Sequence, residues 1–318
     1  MTQHARDHGI VLALGGGGAR GLAHIGVLEV LERERIPVRA VVGASIGAEI
    51  GAFLATGTPV IQMETLASSM DWISTMRLFT PDFGEAGISS GKGITEYLSP
   101  WLAGRNIETL PTGFAAVATD LDTGEEVIIR TGDLLDAVRA SISLPGLLTP
   151  FRKNGQTLID GGVVNPVPFD AARDLFGGPV LAVQAHPSVR QHVEHREEEL
   201  PEWERRLNEL LTHPVLDKAP PRIRAWFEGM LRARRENGAT VNGARRREPG
   251  ISSILNQTQL ITADTLMRLR MRISPPDLLL KPDIRDIGML EFYRARDAIA
   301  AGRRAAQARL NEIRQLYS

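Results

Sequence analysis

The chain of 318 residues contains no cysteine. That absence excludes disulfide frameworks, thiolate zinc sites and cysteine nucleophiles at once, and serine inherits the nucleophile's role. There is also almost no net charge: 37 basic against 38 acidic side chains give −1. No global attraction to nucleic acid follows, and any charge-driven binding must be local. No uninterrupted apolar run approaches the roughly 18 residues of a membrane span, and the opening residues "MTQHARDHG" lack an apolar h-region. A soluble, cytoplasmic protein is the expectation. What the chain does have is a hydrophobic fraction of 43%, enough for a sizeable core.

The first stretches alternate between buried-strand and helical patterns. "GIVLAL" is followed by a glycine cluster and by Leu22, Ile25, Leu28 and Leu31 at helical spacing; then Ala40 to Val42 form a short apolar run before Ile46, Ile50, Phe53 and Leu54. Two strand-to-helix units imply parallel strands with helices on their faces. A helical region is expected around Val60 to Met70, a glycine- and serine-rich loop over Phe83 to Gly93, and a hairpin turning at Asp122-Thr123-Gly124. Another strand, loop and helix unit, with Phe169, Ala172 and Leu175 inward, leads to a strand at Val180 to Ala185. The predicted fold class is α/β: three layers, α/β/α, around a mainly parallel central sheet. From His192 to Arg247 charged amphipathic patterns broken by Pro214, Pro220 and Pro221 suggest a helical insertion at about 192–247 within a single domain over 1–318. A core-like pattern then returns, with a strand candidate "DLLLKPDI" and a last helix from about Leu290 to Leu316.

The glycine cluster Gly15 to Gly21 admits three readings. Gly16, Gly18 and Gly21 formally satisfy a dinucleotide fingerprint, but the second strand ends Val41-Val42-Gly43-Ala44-Ser45, without the acidic residue that would hold a ribose. A Walker loop fails because Arg20-Gly21-Leu22 stands where Gly-Lys-Ser/Thr is required. The second reading is an oxyanion hole, whose backbone N–H groups meet developing negative charge at a helix N-terminus. The third is a tight turn without a ligand.

The pentapeptide Gly43-Ala44-Ser45-Ile46-Gly47 lies where an apolar strand meets a helix. Small flanking residues let such a serine sit on a sharp strand-to-helix bend with its hydroxyl exposed. A nucleophilic serine needs a base. After Ser45 the histidines are His186, His192, His195 and His213, and only His186 follows a buried strand, where ligands gather at the carboxyl end. The rival is Asp160, at a strand end before Gly161 and Gly162. A partly desolvated carboxylate within hydrogen-bond reach can take the serine proton directly.

Three blocks in this order, Gly15 to Gly21 with Arg20, Gly43 to Gly47, and Asp160-Gly161-Gly162, resemble the patatin family of lipid acyl hydrolases, the patatin-like phospholipases. The stretches "AVATDLDTGEEV", "ASISLPGLLTPF" and "KPDIRDIGMLEFYRARDAIAAG" are similar to the family as well; the region His192 to Arg247 is the least familiar. The resemblance implies a cofactor-free hydrolase of phospholipids or other acyl esters. Carried over by position, Ser45 is the nucleophile, Asp160 the base of a dyad, and Gly16, Gly17 and Gly18 the oxyanion donors. Arg20, Gly43, Gly47, Gly161 and Gly162 support them, and neither a metal nor a nucleic acid is implied. Ile46 departs from the small residues or methionine more familiar at its position, which would alter acyl access beside the serine.

Rival expectations remain at this point: a Ser45, Asp160 and His186 triad, or a non-catalytic binding or regulatory protein on the same scaffold. Arg20 could pair with a carboxylate or hold the glycine loop, His24 reads as a packing histidine, and Asp120 and Asp122 as turn-fixing carboxylates. Trp203, Trp226 and Phe227 beside basic residues offer peripheral membrane contact through the insertion, against an amphipathic cap or oligomer contact.

Overall fold

Runs of five to seven apolar or small residues fit strands covered on both faces, and the computed structural model places them in one sheet. It describes residues 9–79, 89–188 and 251–317. Most of the Phe83 to Gly93 loop, the 192–247 insertion with Trp203, Trp226 and Phe227, and His192, His195 and His213 lie outside the described residues. The chain divides into two units, Met1–His195 with Thr258–Ser318, and Arg196–Gln257. All that follows on the sheet and the site concerns the first.

In chain order the elements are β1 (Ile10–Leu14), α1 (Ala23–Arg33), β2 (Val38–Ala44), α2 (Ile46–Ala55), α3 (Val60–Ser68), α4 (Trp72–Leu78), α5 (Lys92–Leu102), β3 (Gly113–Asp120), β4 (Glu126–Ile129), α6 (Leu134–Ser141), β5 (Phe151–Lys153), β6 (Gln156–Asp160), α7 (Phe169–Phe176), β7 (Val180–Val183), α8 (Ile251–Ile273), β8 (Leu278–Leu280), α9 (Ala295–Ala308) and α10 (Leu310–Gln315). The ladders run β5-β6-β3-β2-β1-β7-β8, with β4 also on β3. The β3-β2-β1-β7-β8 pairs are parallel, and β4, β5 and β6 pair antiparallel. Side chains alternate across this sheet as the pleat requires. Ile10, Leu12 and Leu14 join the core under α1, α2, α5 and α9, while Val11 and Ala13 join the one under α7.

Two expectations shift, and one pair of helices is new. The last helix is two, because the chain breaks at Arg309 between α9 and α10. The "core-like" stretch after residue 250 is the long helix α8, which leaves Ile261, Leu269 and Ile273 exposed and buries Leu260 and Met267. The helices α4 and α5 frame a layer the sequence pattern did not single out.

One face is closed by backbone-to-backbone packing of α1 on α9. A side chain on Gly26 would overlap the Ile299 carbonyl, and one on Gly302 the Ala23 carbonyl. Helix ridges meet this closely only when both positions lack a Cβ. Gly302→Val is therefore expected to cost about 3 kcal/mol or more, at the upper end of overpacking penalties, read as a lower urea unfolding midpoint.

Candidate active site

Two strands deliver the central pair. Each residue of β3 has two edges, and Ala116 to Thr119 give one of them to β4. On the other edge β2 ends with Ala44 opposite Val117, and β6 ends with Asp160 opposite Ala118. β2 runs parallel to β3 and β6 antiparallel, so their carboxyl ends arrive from opposite directions at adjacent positions. Ser45 and Asp160, 115 positions apart in sequence, meet there because one strand edge is shared.

Ser45 is the N-cap of α2, with φ 54° and ψ −128°, and its hydroxyl makes no capping bond. A non-glycine residue at positive φ is strained, and the surroundings hold it there. The Ser45 N–H donates to Ser141 Oγ (2.9 Å), which in turn donates to the Val117 carbonyl (2.6 Å). Gly43 and Gly47 leave no room for a side chain: a Cβ on Gly47 would overlap the Leu14 carbonyl, and one on Gly43 the backbone of Gly47 and Ala48. The first turn of α2 directs its unpaired N–H groups and its positive end toward the serine.

Asp160 is 3% exposed. Its backbone is fixed on both sides, the N–H to the Ser143 carbonyl (2.9 Å) and the carbonyl to Thr119 Oγ1 (2.9 Å). Oδ1 accepts from the Gly162 N–H at 2.7 Å, and Oδ2 is buried without a partner in hydrogen-bond geometry. Ser45 nonetheless stands close enough to lower the pKa of the carboxyl. Burial outweighs this and the Gly162 bond and raises it to about 6. A carboxyl so poised is ionised at neutral pH yet basic enough to take a proton. Gly161 packs on the Val117 carbonyl, where a Cβ would overlap it.

The glycine loop closes the third side, 3.2 Å separating a Cβ placed on Gly16 from that of Ser45. Gly16 does not match its expected part, because its N–H is taken by the Pro166 carbonyl (3.0 Å). Gly15 gives its N–H to Val183 and Ala19 to Met289, whereas Gly17 and Gly18 have no acceptor among the described residues. Those two are left as the loop's free donors, and Gly18, at φ 60°, needs its glycine.

Arg20 is buried and donates from Nε to the Ile287 carbonyl (2.6 Å); burial lowers its pKa to about 10, against the nearby Glu291. It ties the loop to the segment before α9. His24 is fully buried, donates to the Gly15 carbonyl (2.8 Å), and is held neutral by burial with a pKa of about 4. Asp120 fixes its turn by accepting from Asp122 and Thr123 N–H groups. The His186 backbone carbonyl accepts from Gln184 Nε2 (2.8 Å), and its buried ring Nε2 has no hydrogen-bond partner among the described residues. The groups that shift the Asp160 pKa are Ser45 and Gly162, and those that shift His186 are burial, Pro187, Asp264, Arg20 and Lys281. Ser45 is thus among the groups that act on Asp160, and neither Ser45 nor Asp160 is among those that act on His186.

Sequence reasoning missed the supports. Ser141 lies in "ASISLPGLLTPF", a stretch with no chemical signature of its own. Beneath the Asp160 loop, Asn165 donates its N–H to the Gly161 carbonyl and its amide to Glu126 and Asp170, and Arg270 of α8 pairs with both carboxylates. A cluster drawn from three distant segments leaves no local signal.

The arrangement is that of an α/β/α protein with a serine on a strand-to-helix elbow, a buried carboxyl beside it and free backbone donors opposite. Residues 12–173 match the family model described as Patatin-like phospholipase. The chain belongs to the patatin-like phospholipase family, a family of lipid ester hydrolases. An NTE family protein of Mycobacterium tuberculosis (strain ATCC 25618 / H37Rv) is 30% identical over 324 residues, covering 93% of this chain and 90% of that protein. A patatin-like phospholipase domain-containing protein of Caenorhabditis elegans is 38% identical over 180 residues, 54% of this chain and 13% of that one. Among solved structures, VipD from Legionella pneumophila aligns over 98% of this chain and 67% of its own, with a TM-score of 0.47 and 16% identity.

Two outcomes are expected. Ser141→Ala strands the Ser45 N–H and should cost about 1–3 kcal/mol, measured by denaturant unfolding. Asp160→Asn should stabilise the protein above pH ~7. The folded carboxyl ionises only near 6 instead of 3.8, so stability falls as pH rises through that window, by up to about 3 kcal/mol. The gain should fade below the unfolded value of 3.8 and vanish by about pH 3, where both states hold the proton.

Proposed function

We propose that the chain is a serine carboxylic-ester hydrolase acting on acyl lipids, with Ser45 as nucleophile and Asp160 as its base. The observation that carries this reading is the buried Asp160 Oδ2, without a hydrogen-bond partner among the described residues and next to a serine held in a strained, uncapped conformation. Ser45 Oγ attacks the ester carbonyl and its proton passes to Asp160 Oδ2. The Gly17 and Gly18 N–H groups receive the oxyanion, aided by the positive end of α2. As the tetrahedral intermediate collapses, the ester C–O bond breaks and the leaving alcohol takes the proton from Asp160. Water, deprotonated by the same carboxylate, then attacks the acyl-serine, and Ser45 recovers its proton as the acid leaves.

Family membership supports ester chemistry on lipids; the choice between a phospholipase A-type and a lysophospholipase or esterase activity rests with how many acyl chains and whether a phosphate head group the site accommodates. Among the described residues no helix is long and apolar enough to cross a membrane, so a lipid substrate would be met at an interface or as a dispersed molecule.

A fluorophosphonate probe should label Ser45, and Ser45→Ala should abolish the adduct. On a panel of phospholipid, lysophospholipid and short-chain esters, Asp160→Asn should lower kcat by about 10²–10⁴-fold, while His186→Ala keeps most of it. The rate should rise with pH through about 6 as Asp160 ionises. An unlabelled Ser45, or loss of turnover in His186→Ala with Asp160→Asn active, would overturn the dyad.

A further inference from the structure

Glu49 lies one helical turn beyond Ser45 on α2, its N–H bonded to the Ser45 carbonyl at 3.2 Å. Residues four apart share a helix face, and a carboxylate at this position serves no step above. It lines a cavity of about 50 Å³ against α2, α3, α4 and α5, walled by apolar groups such as Phe53, Met63, Met70 and Phe292. Only Glu49 and Tyr97 are polar among the described lining residues. Neither side chain has a hydrogen-bond or ion-pair partner among the described residues. Leu22, also in the wall, closes the glycine loop's 3-10 turn, so the cavity lies one turn of α2 beyond Ser45 and at the far end of the glycine loop's turn.

We propose that this cavity receives the acyl chain of the substrate and that Glu49 and Tyr97 select chains carrying a hydroxyl group. The inference rests on the acyl-ester reading of Ser45. A plain hydrocarbon chain would leave both polar groups buried without partners, which is costly. A hydroxyl on the chain can donate to a carboxylate or exchange donor and acceptor roles with a neutral acid and a phenol. Burial raises the Glu49 carboxyl to about 7, which brings the neutral acid within reach near neutral pH. That carboxyl also raises the Tyr97 pKa, after burial, which places the two groups within electrostatic reach. The methionines in the wall are flexible enough to widen a small cavity around a chain.

The test compares para-nitrophenyl octanoate with its mid-chain hydroxyoctanoate counterpart. The unaltered protein should favour the hydroxy ester by roughly ten-fold or more in kcat/KM. Glu49→Gln should keep most of that preference, since an amide still donates and accepts. Glu49→Leu should reduce the ratio to about one or invert it while plain-ester turnover persists, and Tyr97→Phe should reduce it in part. A ratio unchanged by Glu49→Leu, or no preference in the unaltered protein, overturns the proposal. A second readout is calorimetric binding of free hydroxyoctanoic and octanoic acids to Ser45→Ala. If no ester is turned over but the hydroxy acid binds more tightly and loses that advantage in Glu49→Leu, the hydrolase reading fails and the cavity assignment stands. Equal binding of the two acids overturns the assignment.

Discussion

At Ser45 the backbone sits at φ 54° and ψ −128°, a conformation that costs on the order of 1–3 kcal/mol for a residue with a side chain. The rest of the site depends on that turn being held. β2 ends there and α2 begins there, so the turn places the serine at the positive end of the helix. The restoring contacts come from outside the elbow: Ser141 accepts the Ser45 N–H, and the Leu14 backbone fills the space that a Gly47 side chain would need.

The second constraint is electrostatic. A carboxyl buried beside a serine destabilises the folded chain when ionised, and burial is the same property that raises its pKa to about 6. Proton affinity and stability are therefore opposed at Asp160. The sheet resists the cost through the backbone, with Thr119 and Ser143 fixing the main chain of Asp160 and Gly162 satisfying one carboxylate oxygen. The other oxygen has no hydrogen-bond partner among the described residues.

The family match spans residues 12–173, yet the site is held partly from beyond it. Met289 takes the Ala19 N–H, Ile287 takes the Arg20 guanidinium, and Arg270 pairs with Asp170 and Glu126 beneath the Asp160 loop. These C-terminal residues act through backbone carbonyls or a dispersed ion cluster. Their positions in sequence carry no pattern, because a carbonyl acceptor is common to every residue type.

Local physics made much of the chain legible. Continuous apolar runs identified β1 and β2, helical spacing identified α1 and α2, and the turn at Asp122-Thr123-Gly124 gave the β3 and β4 hairpin, since each depends on neighbours a few residues away. The long apolar-and-polar stretch after residue 250 misled because periodicity does not say which side has a partner, and α8 leaves several large apolar groups exposed. Residue chemistry alone nominated Ser45, Asp160 and the glycine loop, but it left Asp160 and His186 as rivals, and family resemblance favoured the aspartate. The tertiary structure adds a placement that no local pattern holds: β2 and β6 end at one edge of β3, which sets Asp160 beside Ser45. The same holds for the loop, where Gly16, Gly17 and Gly18 are equivalent as letters. Long-range hydrogen bonding takes the Gly16 N–H for Pro166 and leaves those of Gly17 and Gly18 free, because which donor meets an acceptor is decided by distance in space rather than by residue type.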